Sequence, residues 1–555
     1  MPKDFFKKSL NLILKRQSNI LSAAVIIMGT IIFSQILGLV RQRLLVAIFG
    51  ASDTLGVYLA SVRLPDFLFQ LIIAGALSSA FIPVFSDYLA KGKESDAHKV
   101  ASTLLVISLA VFILFSLGLF IFAKQFSSII APGFSNEQLN LMANLTRIII
   151  FGEILFIIGS FLSAILQSYN HFFVPGIASA LYNLGIILGI LFLSPFVGIF
   201  SASYGVVLGA LIFVAVQLPL IRRLGFVFKP STSIKSIKAS GVMDVFKLIW
   251  PRTLSIGIFQ LGTIITVTLV SFLQNTGRNY VIFDYAQTLA FAPVVLFGQA
   301  IAQAAFPVLS KERERLFDFK TTFITSFNQT LYLVLPFSVL FLVLRIPIVR
   351  LVFGAAQFDW QATVLTGRTL AFFSISIFAQ ALSYLVSRGF YALHDTKTPL
   401  IIGTVTTLIM ILLGALFIFV YHLGVESIAL AFSVASILNL LTMFLFLNRK
   451  TGGFDLVPFA KTLAKIFLAS GFTAFALYIP IKLLDQLVFD TTKTINLILL
   501  TGISSFAGLS LYLFLTWLFD VKEATMFILL FKKIGDWRQI LTKSEETIDG
   551  SRFNP

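Results

Sequence analysis

The sequence contains no cysteine, and only 12% of its 555 residues are charged. The first absence excludes disulfides, thiol catalysis and thiolate-bound metals. The second excludes an ordinary soluble domain, in which about a quarter of the residues are charged because the surface must be solvated. Histidine is scarce as well, and its four residues are scattered singly, so no metal-binding spacing is present.

Signatures of enzymes are also missing. The chain has no Walker sequence, no glycine-rich dinucleotide turn, no nucleophile elbow and no paired-carboxylate motif in a watery loop. We therefore expect a protein that is not an enzyme and that needs no cofactor. The predicted loops are too short for a nucleotide-binding domain, so transport would draw on an ion gradient, the membrane potential or coupled flux.

The chain is rich in long apolar stretches, which raise its mean hydropathy to +0.95. About 20 apolar residues cross a bilayer core, and the backbone there must form helices to satisfy its own polar groups. The pattern predicts an all-α, polytopic membrane protein of about fourteen transmembrane helices. The predicted spans lie near residues 20–48, 57–86, 100–123, 138–168, 174–195, 200–221, 242–273, 279–308, 321–346, 361–391, 399–421, 425–448, 460–484 and 494–520.

The net charge of +17 is concentrated in alternate loops. Loops after the even-numbered spans carry clusters of lysine and arginine, whereas the opposite loops carry few. Because cytoplasmic loops hold the excess of basic residues, the asymmetry predicts a multi-pass membrane protein with both termini in the cytoplasm. It also accounts for the basic charge without a nucleic-acid partner.

Two halves of the sequence overlay at one offset of 224 residues. The matched positions are Ala80–Ser86 with Ala304–Ser310, Phe134 with Phe358, and Pro175 with Pro399. An even number of spans separates the copies, which predicts a parallel repeat of two pseudo-symmetric six-helix lobes facing a central cleft. The predicted segments are a basic N-terminus (1–19), an N-lobe (20–221), a cytoplasmic linker (222–241), a C-lobe (242–448), two appended C-terminal spans (449–520) and an amphipathic tail on the inner leaflet (521–555).

Several stretches are similar to the signatures of one known family. They are Ser34–Arg41, Phe49–Gly50, Arg63–Tyr88, Ala131–Phe134, Phe172–Ile186, Pro251–Thr253, Phe306–Ser310, Pro347–Phe353 and Arg388–Pro399. From about residue 20 to 450 they resemble the MurJ (MviN) lipid II flippases of the multidrug/oligosaccharidyl-lipid/polysaccharide exporters. The resemblance implies the exporter fold and outward movement of an undecaprenyl-pyrophosphate-linked peptidoglycan precursor. Membrane lipids and cell-wall synthesis machinery are the further expected partners.

The sequence departs from this family pattern at several charged positions. Neutral residues stand there instead: Gln35 and Gln42 in span one, Gly56, Phe69 and Ala74 in span two, and Gln287 and Thr288 in span eight. Span eleven lacks the asparagine and acidic positions that are customary in the family, so no sodium site is carried over, and the coupling ion stays open.

Arginines within the spans are the candidate substrate ligands, because an arginine at a helix centre costs about 2.5–3.5 kcal/mol on insertion scales. Arg41 and Arg63 each lie roughly 10 Å from the predicted outer end of their helix. A planar guanidinium binds phosphate oxygens in bidentate fashion. Arg41, Arg63 and Arg252 are therefore predicted to hold a pyrophosphate. Local pairing is the alternative for Arg63, since Asp66 follows it by three residues.

Other polar residues are predicted to surround this site or to lie at its inner end. The additional cleft candidates are Arg43, Asp66, Gln35 and Asp284. Asp284 and Glu153 are carboxylates at bilayer depth, suited either to proton or cation coupling or to a helix–helix hydrogen bond. Arg388 and Asp395, at the inner end of span ten, are predicted to form a gate or a loop cap.

Three functions remain open on this evidence. The leading hypothesis is a lipid II flippase that works by alternating access. The second keeps the fold and changes the cargo to an O-antigen or teichoic-type lipid-linked glycan or a small cationic drug, and the neutral cleft positions favour it. The third is a transport-inactive scaffold that recruits cell-wall machinery.

Overall fold

The computed structural model describes residues 20–74, 81–231, 257, 260–487 and 493–524, and within these ranges the chain forms helices and no strand. The helices are α1 (Ile20–Phe49), α2 (Asp53–Phe69), α3 (Ile82–Ala90), α4 (Glu94–Ile121), α5 (Ala123–Ile130), α6 (Asn136–Ser168), α7 (Phe173–Val197), α8 (Phe200–Arg223), α9 (Gln260–Ser271), α10 (Thr276–Pro293), α11 (Ala300–Glu312), α12 (Leu316–Val343), α13 (Arg345–Phe353), α14 (Trp360–Ser374), α15 (Ile377–Ala392), α16 (Lys397–Phe419), α17 (Glu426–Lys450), α18 (Leu456–Leu487) and α19 (Thr494–Leu518).

The number of membrane spans agrees with the sequence prediction. Within the described residues, twelve helices are long and apolar enough to cross a bilayer. The pair α14 and α15, bent by 42° at its break, makes a thirteenth candidate. The short apolar helix α9 is the described end of the predicted span 242–273. The prediction of an all-α polytopic protein with about fourteen spans is thus confirmed.

Polar residues in the loops determine where several helices begin. Ser135 accepts a hydrogen bond from the backbone N–H of Gln138, and the side chain of Gln138 accepts one from the backbone N–H of Ser135. This capping box satisfies two amide groups that the first turn of α6 leaves free. Ser52 caps α2 in the simpler way, by accepting from the backbone N–H of Leu55 at 3.3 Å.

The internal repeat is visible in the backbone itself. A π-helical segment, Gln70–Ala74, follows α2, and a second, Val294–Gln299, follows α10, 224 residues later. Two pairs of residues at the same offset adopt positive φ angles: Asn170 (62°) with His394 (57°), and Gly198 (55°) with His422 (51°). Because π segments and left-handed residues are uncommon, these coincidences confirm the duplication.

The helices divide into two compact units. Unit 1 comprises the described parts of Met1–Tyr285 together with Val352–Thr369 and Thr407–Ala431. One apolar cluster in this unit is rich in aromatic rings, with Phe81 lying 5.3 Å from Phe85 and 5.6 Å from Phe161 between ring centroids. Unit 1 therefore combines helices from the first half of the sequence with two segments from the second half.

Unit 2 comprises Ala286–Leu351, Leu370–Thr406 and the described parts of Phe432–Pro555. Its core is again aromatic, with Phe323 stacked on Phe454 at 5.3 Å and Phe444 stacked on Phe459 at 5.2 Å. The last helix, α19, joins this core through Tyr512, whose hydroxyl donates to the backbone carbonyl of Tyr332 at 2.8 Å.

Glycines let α7 and α8 approach each other closely. Gly185 and Gly189 of α7 face Gly209 and Gly205 of α8, and a Cβ atom at residue 185 or 189 would overlap the facing glycine Cα. Both helices thus carry glycines four residues apart on their contact faces, which is the small-residue spacing that membrane helices use to pack backbone against backbone.

This packing predicts that Gly189→Leu destabilises unit 1. The leucine side chain would collide with α8, and overpacking of this kind costs about 1–3 kcal/mol or more. Thermal unfolding of the purified protein in detergent measures the loss. Gly118→Leu on α4 is the matched control, because nothing lies within 4 Å of a Cβ built there. Equal unfolding temperatures for the two variants would contradict the proposed close packing.

Candidate functional site

Arg63 of α2 is bound by two residues of α10. Its Nε donates to the Tyr280 hydroxyl at 2.7 Å, and its Nη2 forms an ion pair with Asp284 Oδ1. The guanidinium carbon also lies 5.9 Å from the centre of the Tyr280 ring. The side chains of Arg63 and Asp284 are only 24% and 10% exposed. These three residues, here called the latch, connect the first half of the sequence to the second within unit 1.

The backbones of α2 and α10 touch beside the latch. Gly56 faces Gly277 so closely that a Cβ at either position would overlap the backbone of the other helix. This contact accounts for glycine at 56, where the family pattern has an aspartate. The N-terminal end of α10 is held further by Asp53, whose Oδ1 accepts from the backbone N–H of Arg278 at 3.0 Å. Arg278 in turn donates to both carboxylate oxygens of Asp359 at 2.9 Å.

Arg41 of α1 lies near the latch but outside it. It is close enough to Asp284 and to Tyr58 for its charge to act on both. The side chain is half-buried, and among the described residues its guanidinium has no hydrogen-bond or ion-pair partner. A desolvated arginine without a protein anion is suited to an anionic ligand, because its donors can bind phosphate oxygens without first breaking a protein ion pair.

The other predicted cleft residues differ in their surroundings. Arg43 is exposed, and its Nη2 donates to the Gly354 carbonyl at 3.3 Å, away from the latch. Gln35 is also exposed. Asp66 accepts a hydrogen bond from Gln70 Nε2 at 3.4 Å. Asp66 is therefore not the main partner of Arg63, although its charge still acts on that arginine.

Two of the neutral positions take part in packing. Phe69 is 8% exposed and lies in the core of unit 1, with its ring 5.3 Å from that of Phe156. The Tyr285 hydroxyl donates to the backbone carbonyl of Gln42 at 3.2 Å. The side-chain oxygen of Gln42 is buried and has no hydrogen-bond partner among the described residues. Both neutral residues thus contribute to contacts between helices.

The predicted gate residues lie in unit 2. Arg388 places its guanidinium 5.4 Å from the ring centre of Phe306 and 5.9 Å from that of Tyr391. Asp395 accepts hydrogen bonds from the backbone N–H of Thr398 at 3.0 Å and from its hydroxyl at 2.7 Å, and it pairs with Lys450 at 2.5 Å. Asp395 thus caps the start of α16.

The environment of Asp395 keeps its carboxylate charged. Partial burial by itself raises the pKa of this carboxyl, but the hydrogen bonds from Lys450 and Thr398 outweigh burial and lower the pKa to about 2. Beside it, Arg313 contacts His394 Nε2. These contacts make the segment a cap with a fixed ion pair. Arg252 lies outside the described residues.

Sequence reasoning missed Tyr280 and did not pair Asp284 with Arg63. Both α10 residues are spaced i, i+4, so they share one helix face. Asp284 also lies at a depth similar to that of Arg63, roughly 12 Å and 15 Å from the starts of their helices at ~1.5 Å per residue. The helical spacing and the similar depth could therefore have predicted the pairing of Arg63 with Asp284. The sequence alone does not define which face of α10 meets α2.

The fold is similar to those of solved membrane transporters. A solved "Lipid II flippase MurJ, inward closed conformation" matches with a TM-score of 0.72 at 24% identity, covering 89% of this chain and 98% of that one. An inward-facing multidrug resistance MATE family transporter of the MOP superfamily matches at 0.65 and 14% identity, covering 77% of this chain and 98% of that one. Similarity at these identities concerns the fold alone.

The family follows from the sequence comparisons. Residues 45–499 match the family model "Lipid II flippase MurJ", so the chain belongs to that family. A protein of Buchnera aphidicola subsp. Acyrthosiphon pisum, described as a probable lipid II flippase MurJ, is 30% identical over 440 residues, covering 78% of this chain and 84% of the relative. The lipid II flippase MurJ of Burkholderia cenocepacia is 26% identical over 451 residues, with the same two coverages. The model match includes the latch and begins four residues after Arg41.

The latch predicts that Asp284→Asn loosens the contact between α2 and α10. Removing one member of a buried ion pair leaves the other charge uncompensated and costs about 3–5 kcal/mol. Because the chain has no cysteine, spin labels can be attached at Thr54→Cys and Gln274→Cys alone, two exposed positions near the helix contact. Pulsed electron resonance distances should lengthen in the Asp284→Asn background.

The matched control for this experiment is Asp318→Asn, because Asp318 pairs with Arg315 in an exposed, local ion pair of unit 2. Exposed pairs contribute about 0–1 kcal/mol, so this variant should leave the distances unchanged. Unchanged distances in Asp284→Asn as well would show that the latch does not hold the two helices together.

Proposed function

We propose that this protein moves lipid II, the undecaprenyl-pyrophosphate-linked peptidoglycan precursor, from the inner to the outer leaflet of a bacterial cytoplasmic membrane. Membership of the lipid II flippase family supports the cargo. The likeness to transporters of the exporter superfamily supports a mechanism in which access alternates between the two membrane faces. The basic even-numbered loops support an orientation with both termini in the cytoplasm.

The observation that carries the proposal is the unpaired guanidinium of Arg41. An arginine at bilayer depth needs a compensating anion, and in the described part of the chain no carboxylate forms an ion pair with Arg41, because the nearby Asp284 is paired with Arg63. The pyrophosphate of a lipid-linked precursor meets that need, because its oxygens accept the paired donors of a guanidinium. Arg41 therefore binds the diphosphate. The hydroxyls of Tyr58 and Tyr285 lie close enough for the charge of Arg41 to act on them.

In this mechanism the latch is the outer gate. Arg63 is neutralised by Asp284 in the present arrangement, so it is not a free ligand for the substrate. Opening toward the outer face separates α2 from α10 and exposes both charges of the latch to water. Arg63 then becomes available to a departing or arriving diphosphate, while Arg252 extends the site on the basis of family resemblance alone.

A second cargo is favoured by the low number of free positive charges. Gln35 is exposed and neutral where the family pattern has an arginine, and Arg63 is already paired. A site in which the described residues place one unpaired arginine, Arg41, near the latch suits a polyprenyl-linked glycan with fewer phosphate charges. Another lipid-linked oligosaccharide of the cell envelope is therefore the alternative substrate.

The proposal predicts that the wild-type chain restores growth to a bacterium depleted of its own lipid II flippase and that Arg41→Ala does not. Loss of one charge-assisted phosphate contact weakens binding by about 1.5–3 kcal/mol, or roughly 10- to 150-fold. Growth after depletion is the measurement, with membrane levels of both proteins checked by immunoblot.

The matched control is Arg43→Ala, which removes an exposed arginine two residues away and should still restore growth. Rescue by Arg41→Ala as well would contradict the role given to Arg41. Failure of a well-expressed wild-type chain would favour the alternative substrate, to be tested by binding to other polyprenyl-linked glycans.

A further inference from the structure

Within the described part of the chain, one carboxyl group in the interior of unit 1 has no basic partner. Glu153 is on α6, roughly 25 Å along the helix from its start, and is 7% exposed. Its Oε2 atom is buried and has no hydrogen-bond partner. The preceding residue, Gly152, packs against Val206 of α8, so the helix backbone is fixed at this level.

A cluster of aromatic rings lies about one helix turn from Glu153. Phe156, three residues further along α6, stacks on Phe213 at 4.8 Å and contacts Tyr182 at 4.9 Å and Phe69 at 5.3 Å. These rings exclude water from the neighbourhood of Glu153. Holding a bare negative charge in such a setting costs several kcal/mol.

The charged and titratable groups that face Glu153 do not offset that cost. Asp66 of α2 acts on it electrostatically and opposes a negative charge there, and the hydroxyl of Tyr182 on α7 lies close enough to be affected by a charge on Glu153. On α4, no ionisable residue follows Lys99, and α8 presents Val206. The ionisable residues of α3 and α5, Asp87, Tyr88 and Lys124, do not act on it resolvably.

Asp66 is the better placed of the two carboxyls to carry the negative charge. It accepts the amide N–H of Gln70 and feels the charge of Arg63, three residues away on the same helix. Two neighbouring carboxylates do not both ionise readily in an apolar site. An amide donor directed at Asp66 also opposes a metal cation between the two oxygens. A proton on Glu153 is the remaining way to balance the charges.

We propose that Glu153 is a proton-binding site whose proton exchanges with water when the latch opens. In the latched arrangement the group is the neutral acid. Opening the latch frees Arg63 from Asp284 and admits water, so the O–H bond of Glu153 breaks, the proton passes to water and the carboxylate remains, stabilised by the released arginine. By linkage, protonation of Glu153 favours the latched arrangement to the same extent.

The role in transport rests on the proposed function, but the proton itself can be measured without any substrate. Infrared difference spectra of the purified full-length chain in lipid nanodiscs, titrated with pH, report the carbonyl stretch of each protonated carboxylic acid. The wild type should lose one such band at a pH well above that of ordinary carboxylates. The band should be absent in Glu153→Gln and present in Glu137→Gln, the same substitution at an exposed position of α6.

The link to the latch is tested in the same spectra. In Asp284→Asn, the band that is sensitive to Glu153→Gln should disappear at a pH lower by about one unit or more, since one unit corresponds to 1.36 kcal/mol between the protonation states. Glu153→Asp keeps a carboxylic acid at a slightly shifted position, so it should retain a titrating band. That result would show that the site tolerates substitution.

Identical spectra for the wild type and Glu153→Gln would overturn the proton site, and an unchanged titration in Asp284→Asn would overturn its link to the latch. These outcomes are separate from the proposed cargo. A Glu153 band in a chain that fails to restore growth would refute the lipid II assignment and leave the proton site standing.

Discussion

The cost of placing charge in hydrocarbon governs this structure. Backbone polar groups avoid it by forming helices throughout the described spans, and ionisable side chains avoid it by pairing. Arg63 and Asp284 are at bilayer depth because each neutralises the other. Among the residues that the structure describes, Arg41 and Glu153 have no such ion-pair partner, so we propose a neutralising species from outside the protein for each, an anion for the arginine and a proton for the acid.

The internal duplication explains why the latch lies between α2 and α10. The two helices occupy equivalent positions in the repeat, each ends in a π-helical segment, and their glycines Gly56 and Gly277 bring the backbones into contact. A duplicated chain provides two copies of one helix, and different side chains then place arginine on one copy and aspartate on the other. Because π segments weaken the regular hydrogen-bond ladder, they are natural places for these helices to bend as the latch opens.

Much of this organisation follows from the sequence. The spans, the basic loops and the 224-residue repeat can be predicted from hydropathy, charge and motif spacing, because these properties depend on local chemistry. The pairing of Arg63 with Tyr280 and Asp284 is not, because it depends on how two distant helices are rotated about their axes. The same limit applies to Phe69, whose place in the core follows from the contact with Phe156 and not from its position in a family motif.

Arg41 is central to the proposed mechanism, in which its partner is the diphosphate of the substrate. Binding of undecaprenyl pyrophosphate to the purified protein, measured by native mass spectrometry for the wild type, Arg41→Gln and Arg43→Gln, tests this claim most directly. We expect Arg41→Gln to bind at least about tenfold more weakly, or ~1.4 kcal/mol, with Arg43→Gln unchanged. Equal affinity in all three proteins would contradict the account.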